Sequence, residues 1–361
     1  MGVEKKRFGY LRDGREAFLY TIRNEAGMTA VVSDFGAVLV SLLVPDKDGR
    51  LIDVVLGYDE LEKYEHNFDM LGATVGRNVN RIEKGTFEID GVRYQLEINE
   101  NDNNIHSSME HGFHKVLWQA ESLSDDSVTL TYYSPDGENG FPGNLDIALT
   151  YTLTENGALI LSYYGKSDKK TLINLTNHSY FNLAGPDLES GTLPDIFNTV
   201  VWINADQFTP VRKGTIPTGE LRDVTGTPMD FRIPKPIGQD VHADYEQLKL
   251  VYGYDHNYVL NGAQRGVRKA AFAKNPENGI KMTVYTDLPG LQFYGANTTR
   301  DIIGKGSVLI TKNTGFCMES HYYPNSINIP HFPQPVFDKN AEYKTTTIYQ
   351  FTAEQGGKVH E

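Results

Sequence analysis

Apolar and polar residues alternate one by one along much of this chain. A period of two is what a strand with one buried face requires, because successive side chains point to opposite sides of a sheet. Val128, Leu130 and Tyr132 alternate with Thr129, Thr131 and Tyr133. Ile147, Leu149, Tyr151 and Leu153 alternate with Ala148, Thr150, Thr152 and Thr154, and Ile280, Met282 and Val284 with Lys281, Thr283 and Tyr285. Phe87-Glu88-Ile89 and Val92 to Leu96 flank Asp90-Gly91, a pair that accepts positive φ at both positions and so predicts a two-residue hairpin. Helical signals are short, at Glu60 to Glu65 and Tyr245 to Leu250, and no βαβ rhythm or glycine-rich strand-to-helix turn appears. The stretch from Ala184 to Leu221 is rich in Gly, Pro and Thr but contains a strand pattern at Thr199 to Ile203. The pattern predicts an all-β, antiparallel architecture of two packed sheets, a β-sandwich, in one domain over residues 1–361.

Charge and cysteine content narrow the function classes. Across 361 residues the net charge is −13, which repels phosphate backbones, and no Lys/Arg run offsets it, so no nucleic-acid partner is expected. Cys317 is the one cysteine, which excludes an intramolecular disulfide and a Cys-only zinc site. Met1 to Gly9 carries charges and no apolar core of a signal peptide, and the apolar run from Ala37 to Pro45 is too short to span a bilayer. The expectation is a cytoplasmic protein with no membrane partner.

Five polar islands interrupt the alternation: Gly76 to Ile82, Asn103 to His106, Asn174 to Asn182, Gly253 to Tyr258 and Met318 to Asn325. Each has an ordinary reading. Asn-rich stretches cap turns, a lone histidine is more often a structural hydrogen bonder than a catalyst, and Arg81 can pair with Glu83 or Glu88. Glu319 follows the apolar run Gly315-Phe316-Cys317-Met318, so it is either buried and paired or lines a cleft. Together the islands supply a carboxylate, imidazoles, amides, an arginine and rings, a set that suits a neutral polyhydroxylated ligand. Other chemistries fit less well. His106, Glu110, His111 and His114 suggest a metal only if a helix brings His111 and His114 together, and Gly112 argues against one. No Gly-x-Ser-x-Gly elbow or phosphate-cradling loop is present. Cys317 has no cationic sequence neighbour, which favours packing over nucleophilic use.

In order along the chain, these islands resemble those of the aldose 1-epimerase family, the galactose mutarotases. The resemblance runs from about Gly27 to Phe351 and includes Asp34-Phe35-Gly36-Ala37, Val44-Pro45-Asp46, Asp53 to Tyr58 and Gly76 to Ile82. It continues through Ser134-Pro135-Asp136-Gly137, Tyr151-Thr152-Leu153-Thr154, Asn174 to Leu183 and Pro217-Thr218-Gly219. It closes with Met229-Asp230-Phe231-Arg232, Tyr254-Asp255-His256 and the Glu319 segment. The resemblance implies a large β-sandwich of the galactose-mutarotase type with a sugar cleft on one sheet. By motif, Glu319 falls at the general base and His178 at the general acid. Asn80, Arg81, His106 and Asp255 fall at substrate-binding or acid-supporting positions, and Gln292 at a further binding position. The implied reaction is interconversion of the anomers of a free aldohexose by ring opening and reclosure, with no cofactor and no metal, in a monomer or homodimer. The expected protonation is an ionised Glu319 and a protonated His178, the latter favoured by Asp255, with the pair on opposite sides of one C–O bond.

Two departures from the family pattern bear on the site. Ile105-His106-Ser107-Ser108 stands where the family has Leu-His-Gly-Gly, and Glu319-Ser320-His321 with Pro324-Asn325 where it has Glu-x-Gln and Pro-Asp. The rival readings are a hexose-6-phosphate epimerase, which needs an arginine cluster, a glycoside hydrolase using Glu319 and Asp255, and a non-catalytic sugar-binding module.

Overall fold

The computed structural model describes residues 2–262 and 265–353. Its largest element is an antiparallel sheet of nine strands. They run in the order Gln119–Leu123, Ser127–Ser134, Leu145–Leu153, Ala158–Ser167, Glu342–Ala353, Ile280–Thr286, Arg268–Lys274, Val200–Ile203 and Lys235–Pro236. The alternating segments form these strands because each buries one face. Ile147, Leu149 and Tyr151 are buried, as are Leu159, Leu161 and Tyr349 on neighbouring strands. Each such large apolar side chain contributes about 1.5–3 kcal/mol by leaving water.

Two five-stranded antiparallel sheets cover that face. The first is a meander from Glu4–Tyr10 through Glu16–Arg23, Thr29–Ser33 and Val38–Pro45 to Leu51–Asp53. The second, which carries the cleft, has the order Arg222–Asp223, Ala205–Phe208, Asp255–Leu260, Gly290–Tyr294 and Cys317–His321. One apolar cluster joins all three, with Ile22, Val32 and Leu42 from the meander, Leu149 and Tyr349 from the large sheet, and Tyr258, Leu291 and Met318 from the cleft sheet. The all-β sandwich is borne out, with one difference: the layer opposite the large sheet is split in two.

The shorter elements follow their signals. The helices span Leu61–His66 and Glu246–Val251, and Thr86–Ile89 pairs with Val92–Gln95 across Asp90 and Gly91, whose φ values are 51° and 78°. No helix among the described residues is long and apolar enough to cross a membrane.

Candidate active site

The strands Asp255–Leu260, Gly290–Tyr294 and Cys317–His321 pair in a register that puts Asn257, Gln292 and Glu319 in one row and Asp255, Tyr294 and Cys317 in the next. Residues paired across a ladder share a face, so both rows project to the same side. The opposite side faces the large sheet. There Tyr349 donates its hydroxyl to the Met318 carbonyl at 3.2 Å, and Ser320 bonds Thr347. Cys317 to His321 is therefore buried on both faces, and the alternation lapses there for that reason. The strands lie close: a Cβ on Gly290 would meet Asn257 Oδ1 at 2.3 Å.

Three other short elements complete the cleft. Thr176–His178 pairs with Ala73–Val75 and delivers His178. A two-residue ladder sets Ile105 opposite Arg81, which brings Asn80, Arg81 and His106 to the same rim. Asn80 and His106 both have positive φ, 61° and 54°, and they bond each other. The His106 N–H donates to the Asn80 carbonyl at 3.1 Å, and the Asn80 N–H donates to His106 Nδ1 at 3.3 Å. Because Nδ1 accepts, neutral His106 carries its proton on Nε2. Burial, reinforced by His178 and Arg81, holds His106 well below the usual imidazole range, so it is neutral at pH 7.

The cleft has a volume of about 300 Å³ and is lined by all seven residues expected from sequence: Asn80, Arg81, His106, His178, Asp255, Gln292 and Glu319. At its floor, Glu319 Oε1 lies 3.7 Å from His178 Nε2, while Glu319 Oε2 has no partner. The two residues are 2% and 6% exposed. They stand side by side. Gln292 donates to Asp255 Oδ1 at 2.6 Å and keeps its own carbonyl oxygen unpartnered. An unpartnered buried acceptor costs free energy, and a sugar hydroxyl would satisfy it.

Several expectations need correction. Arg81 pairs with neither Glu83 nor Glu88. It grips Glu100 in two-point fashion, at 2.5 and 2.7 Å, and Glu83 pairs with Arg212. Burial acts against both charged forms that the sequence led one to expect, the glutamate anion and the imidazolium. Burial pushes Glu319 well above the usual carboxylate range, with Asp255 adding to it. Burial pulls His178 down to about 4. Asp255 acts on Glu319 through charge repulsion, and it does not prop up an imidazolium at His178. The His106, Glu110, His111 and His114 set does not converge: His114 is buried in a single 3-10 turn, Phe113–Lys115, against the Met109 carbonyl, while Glu110 and His111 are not buried. Arg77, inside the first island, turns away from the cleft and ties down the carbonyls of Ser134, Pro135 and Pro142.

His178, Cys317 and Glu319 form the one group of metal-ligand types found among the described residues. One ligand atom from each lies within 4.8 Å of the others; Cys317 Sγ stands 3.7 Å from Nδ1 of the imidazole and Glu319 Oε1 3.7 Å from Nε2.

Residues 19–350 match the model of the aldose 1-epimerase family. The chain belongs to the aldose 1-epimerase family. It is similar to the galactose mutarotase of Sus scrofa, at 40% identity over 98% of this chain and 99% of that one. It is also similar to the aldose 1-epimerase of Escherichia coli K12, at 37% identity over 95% and 97% of the two chains. Among solved structures, an aldose epimerase homologue from C. elegans superposes with a TM-score of 0.85 at 28% identity, covering 93% of this chain and 99% of that one.

Against the family's usual glycines, the serine pair of this aldose 1-epimerase family member is put to use. Ser107 adopts φ 67°, and its hydroxyl accepts from the Asn78 N–H at 2.9 Å and donates to the Asn78 carbonyl at 3.0 Å. Ser108 donates to Glu97 at 2.8 Å. Asn325 accepts from the Glu83 N–H, and His321 is buried with Nδ1 on the Tyr322 carbonyl and Nε2 unpartnered. Sequence reasoning missed Glu100, Tyr180, Tyr294, Phe68, Met109 and Arg300 as lining residues. Tyr180 lies inside the island Asn174 to Asn182 and was legible as a ring; Glu100 carried no signal, because its partner is 19 positions away across a loop.

Proposed function

We propose that this chain is an aldose 1-epimerase that interconverts the α and β anomers of free aldohexoses such as galactose and glucose, with Glu319 as base and His178 as acid. The observation that carries the reading is the contact of Glu319 Oε1 with His178 Nε2 on the cleft floor. The anomeric hydroxyl oxygen and the ring oxygen of a pyranose are bonded to the same carbon, so two neighbouring groups reach both. The carboxylate takes the proton of the C1 hydroxyl while the imidazolium gives its Nε2 proton to the ring oxygen, and the C1–O bond opens. Rotation about C1–C2 presents the other carbonyl face, and the reverse transfers close the ring.

The proton count links the buried pair to the reaction. Burial disfavours the charged form of both groups, raising Glu319 and lowering His178, so one proton shared by the pair leaves both uncharged when it sits on Glu319. Passing it to Nε2 creates the reactive ion pair, and ring opening returns the proton inventory to an uncharged carboxyl and imidazole. Burial favours that uncharged arrangement, so the cost of forming the ion pair is returned as the ring opens. His106, Asn80, Arg81 and Gln292 supply donors and acceptors to the remaining hydroxyls, and Tyr180 and Met109 an apolar wall.

The cleft does not suit a sugar phosphate. Asp69, Glu100, Asp255 and Glu319 line it against Arg81 and Arg300, and Arg81 is already committed to Glu100. Polarimetry of fresh α-D-galactose and α-D-glucose tests the proposal. Glu319→Gln and His178→Asn are expected to lose about 10²–10⁴-fold in rate while keeping wild-type circular dichroism. Wild-type turnover in either variant removes that residue from the scheme, and faster turnover of the 6-phosphates overturns the substrate assignment.

A further inference from the structure

An imidazole works through the nitrogen that faces the substrate, and the partner of the other nitrogen decides which one that is. In His178, Nε2 is the nitrogen beside Glu319. Nδ1 points into the strand Cys317–His321, where Cys317 Sγ stands 3.7 Å from it. We infer that Cys317 is a positioning residue for ring opening: its sulfur holds the Nδ1 edge of His178, so that Nε2 faces Glu319 and the ring oxygen of the sugar. The inference rests on the epimerase reading.

Three further observations support it. Cys317 and Glu319 are two residues apart on one strand and project to the same side, so a single strand sets the base and the rear partner of the acid. Glu319 Oε2 is buried and unpartnered, which leaves this corner of the cleft awaiting a ligand. Burial, with Glu319 and Asp255 nearby, keeps the thiol well above its usual range and therefore protonated, so it serves neither as nucleophile nor as a charged partner. Besides Cys317, the groups around His178 are its own backbone, whose hydrogen bond favours the charged ring, Glu319, His106 at 5.3 Å ring to ring, Tyr180 at 5.1 Å, and His321, whose charge would oppose an imidazolium.

Sulfur suits the role because it is a weak partner of either sign. It accepts from Nδ1–H when the ring is charged, and its S–H donates to Nδ1 when that nitrogen is bare. A carboxylate in its place would stabilise the imidazolium and make it a poor proton donor. A weak partner fixes orientation without that penalty, in keeping with the low position of His178.

The rival reading is that Cys317 only fills space, and two substitutions separate them. Cys317→Val preserves the volume and removes the partner; Cys317→Ser preserves a partner and loses volume. For a positioning role, valine lowers kcat about five- to tenfold with KM within about twofold, and serine stays within about threefold of wild type. Nitrogen-15 spectra of the His178 ring are expected to move in the valine variant and to hold in serine. Valine at wild-type kcat with unmoved ring shifts overturns the inference, and so does serine falling as far as valine. If valine does not fold by circular dichroism, Cys317→Ala is read in the same way. Wild-type polarimetry run alongside separates the two levels: an inactive wild type sinks the epimerase reading, whereas an active one with a silent valine variant sinks only the role of Cys317.

Discussion

Glu319 and His178 show how far a residue's type predicts its state. Free carboxylates and imidazoles ionise in an order that gives a glutamate anion and, near neutrality, some imidazolium. Inside the cleft, desolvation acts against the charged form of both, raising Glu319 and lowering His178. Sequence identified the two residues, through the islands and the family resemblance, because both chemistry and spacing are written there. It did not show the burial, which is contributed by Tyr180, His106 and strands far away in the chain. The pH dependence follows from the pair, not from either residue alone. With one proton held in common, activity is expected to fall on the acid side near pH 4, as His178 takes a second proton. It is expected to fall again on the alkaline side, above the usual carboxylate range, when Glu319 gives up the shared one. Initial polarimetric rates from pH 3 to 10 check this. A flat profile from pH 4 to 9 together with full activity at pH 3 would rule out the shared-proton scheme.

Among elements, those with a local cause were legible and those with a distant cause were not. The hairpin at Asp90-Gly91 needs only its own two residues, and the two short helices formed within a residue of their predicted bounds. Ladders such as Arg81–Ile82 with Asn104–Ile105 are two residues long and leave no periodic trace. The strand Cys317–His321, buried on both faces, lacks the alternation by which strands are found. A local cause also permits a clean test. Gly91 has φ 78°, and a Cβ there would meet nothing within 4 Å, so any cost of Gly91→Val comes from backbone conformation alone. Chemical denaturation is expected to show a loss of about 1–2 kcal/mol. Polarimetric activity at 25 °C should be unchanged, because the hairpin takes no part in the cleft. An unchanged denaturation midpoint would mean that the turn does not hold its left-handed geometry in solution.

The chain as a whole closes on itself through its last described strand. Glu342–Ala353 lies at the centre of the nine-stranded sheet, between Ala158–Ser167 and Ile280–Thr286. Four earlier strands lie on one side of it and four on the other, so the two halves of the sheet meet only there. The sequence could show that this segment alternates, but a strand's neighbours are set by pairings across most of the chain, for which a single sequence carries no periodic mark. The same strand supports the cleft from behind, through the Tyr349 hydroxyl on the Met318 carbonyl and the bond between Thr347 and Ser320. A chain ending at Ala341 would therefore expose the facing edges of two central strands, each with unpaired backbone donors and acceptors and an uncovered apolar face. Such a chain is expected to lose cooperative urea unfolding and all epimerase activity, and to aggregate. A milder change, Tyr349→Phe, keeps the packing and removes one buried donor; it is expected to cost about 0.5–1.5 kcal/mol with the cleft still active. If the truncated chain instead unfolds in one sharp transition, the two halves of the sheet are independently stable, and the central strand is not what joins the fold to its site.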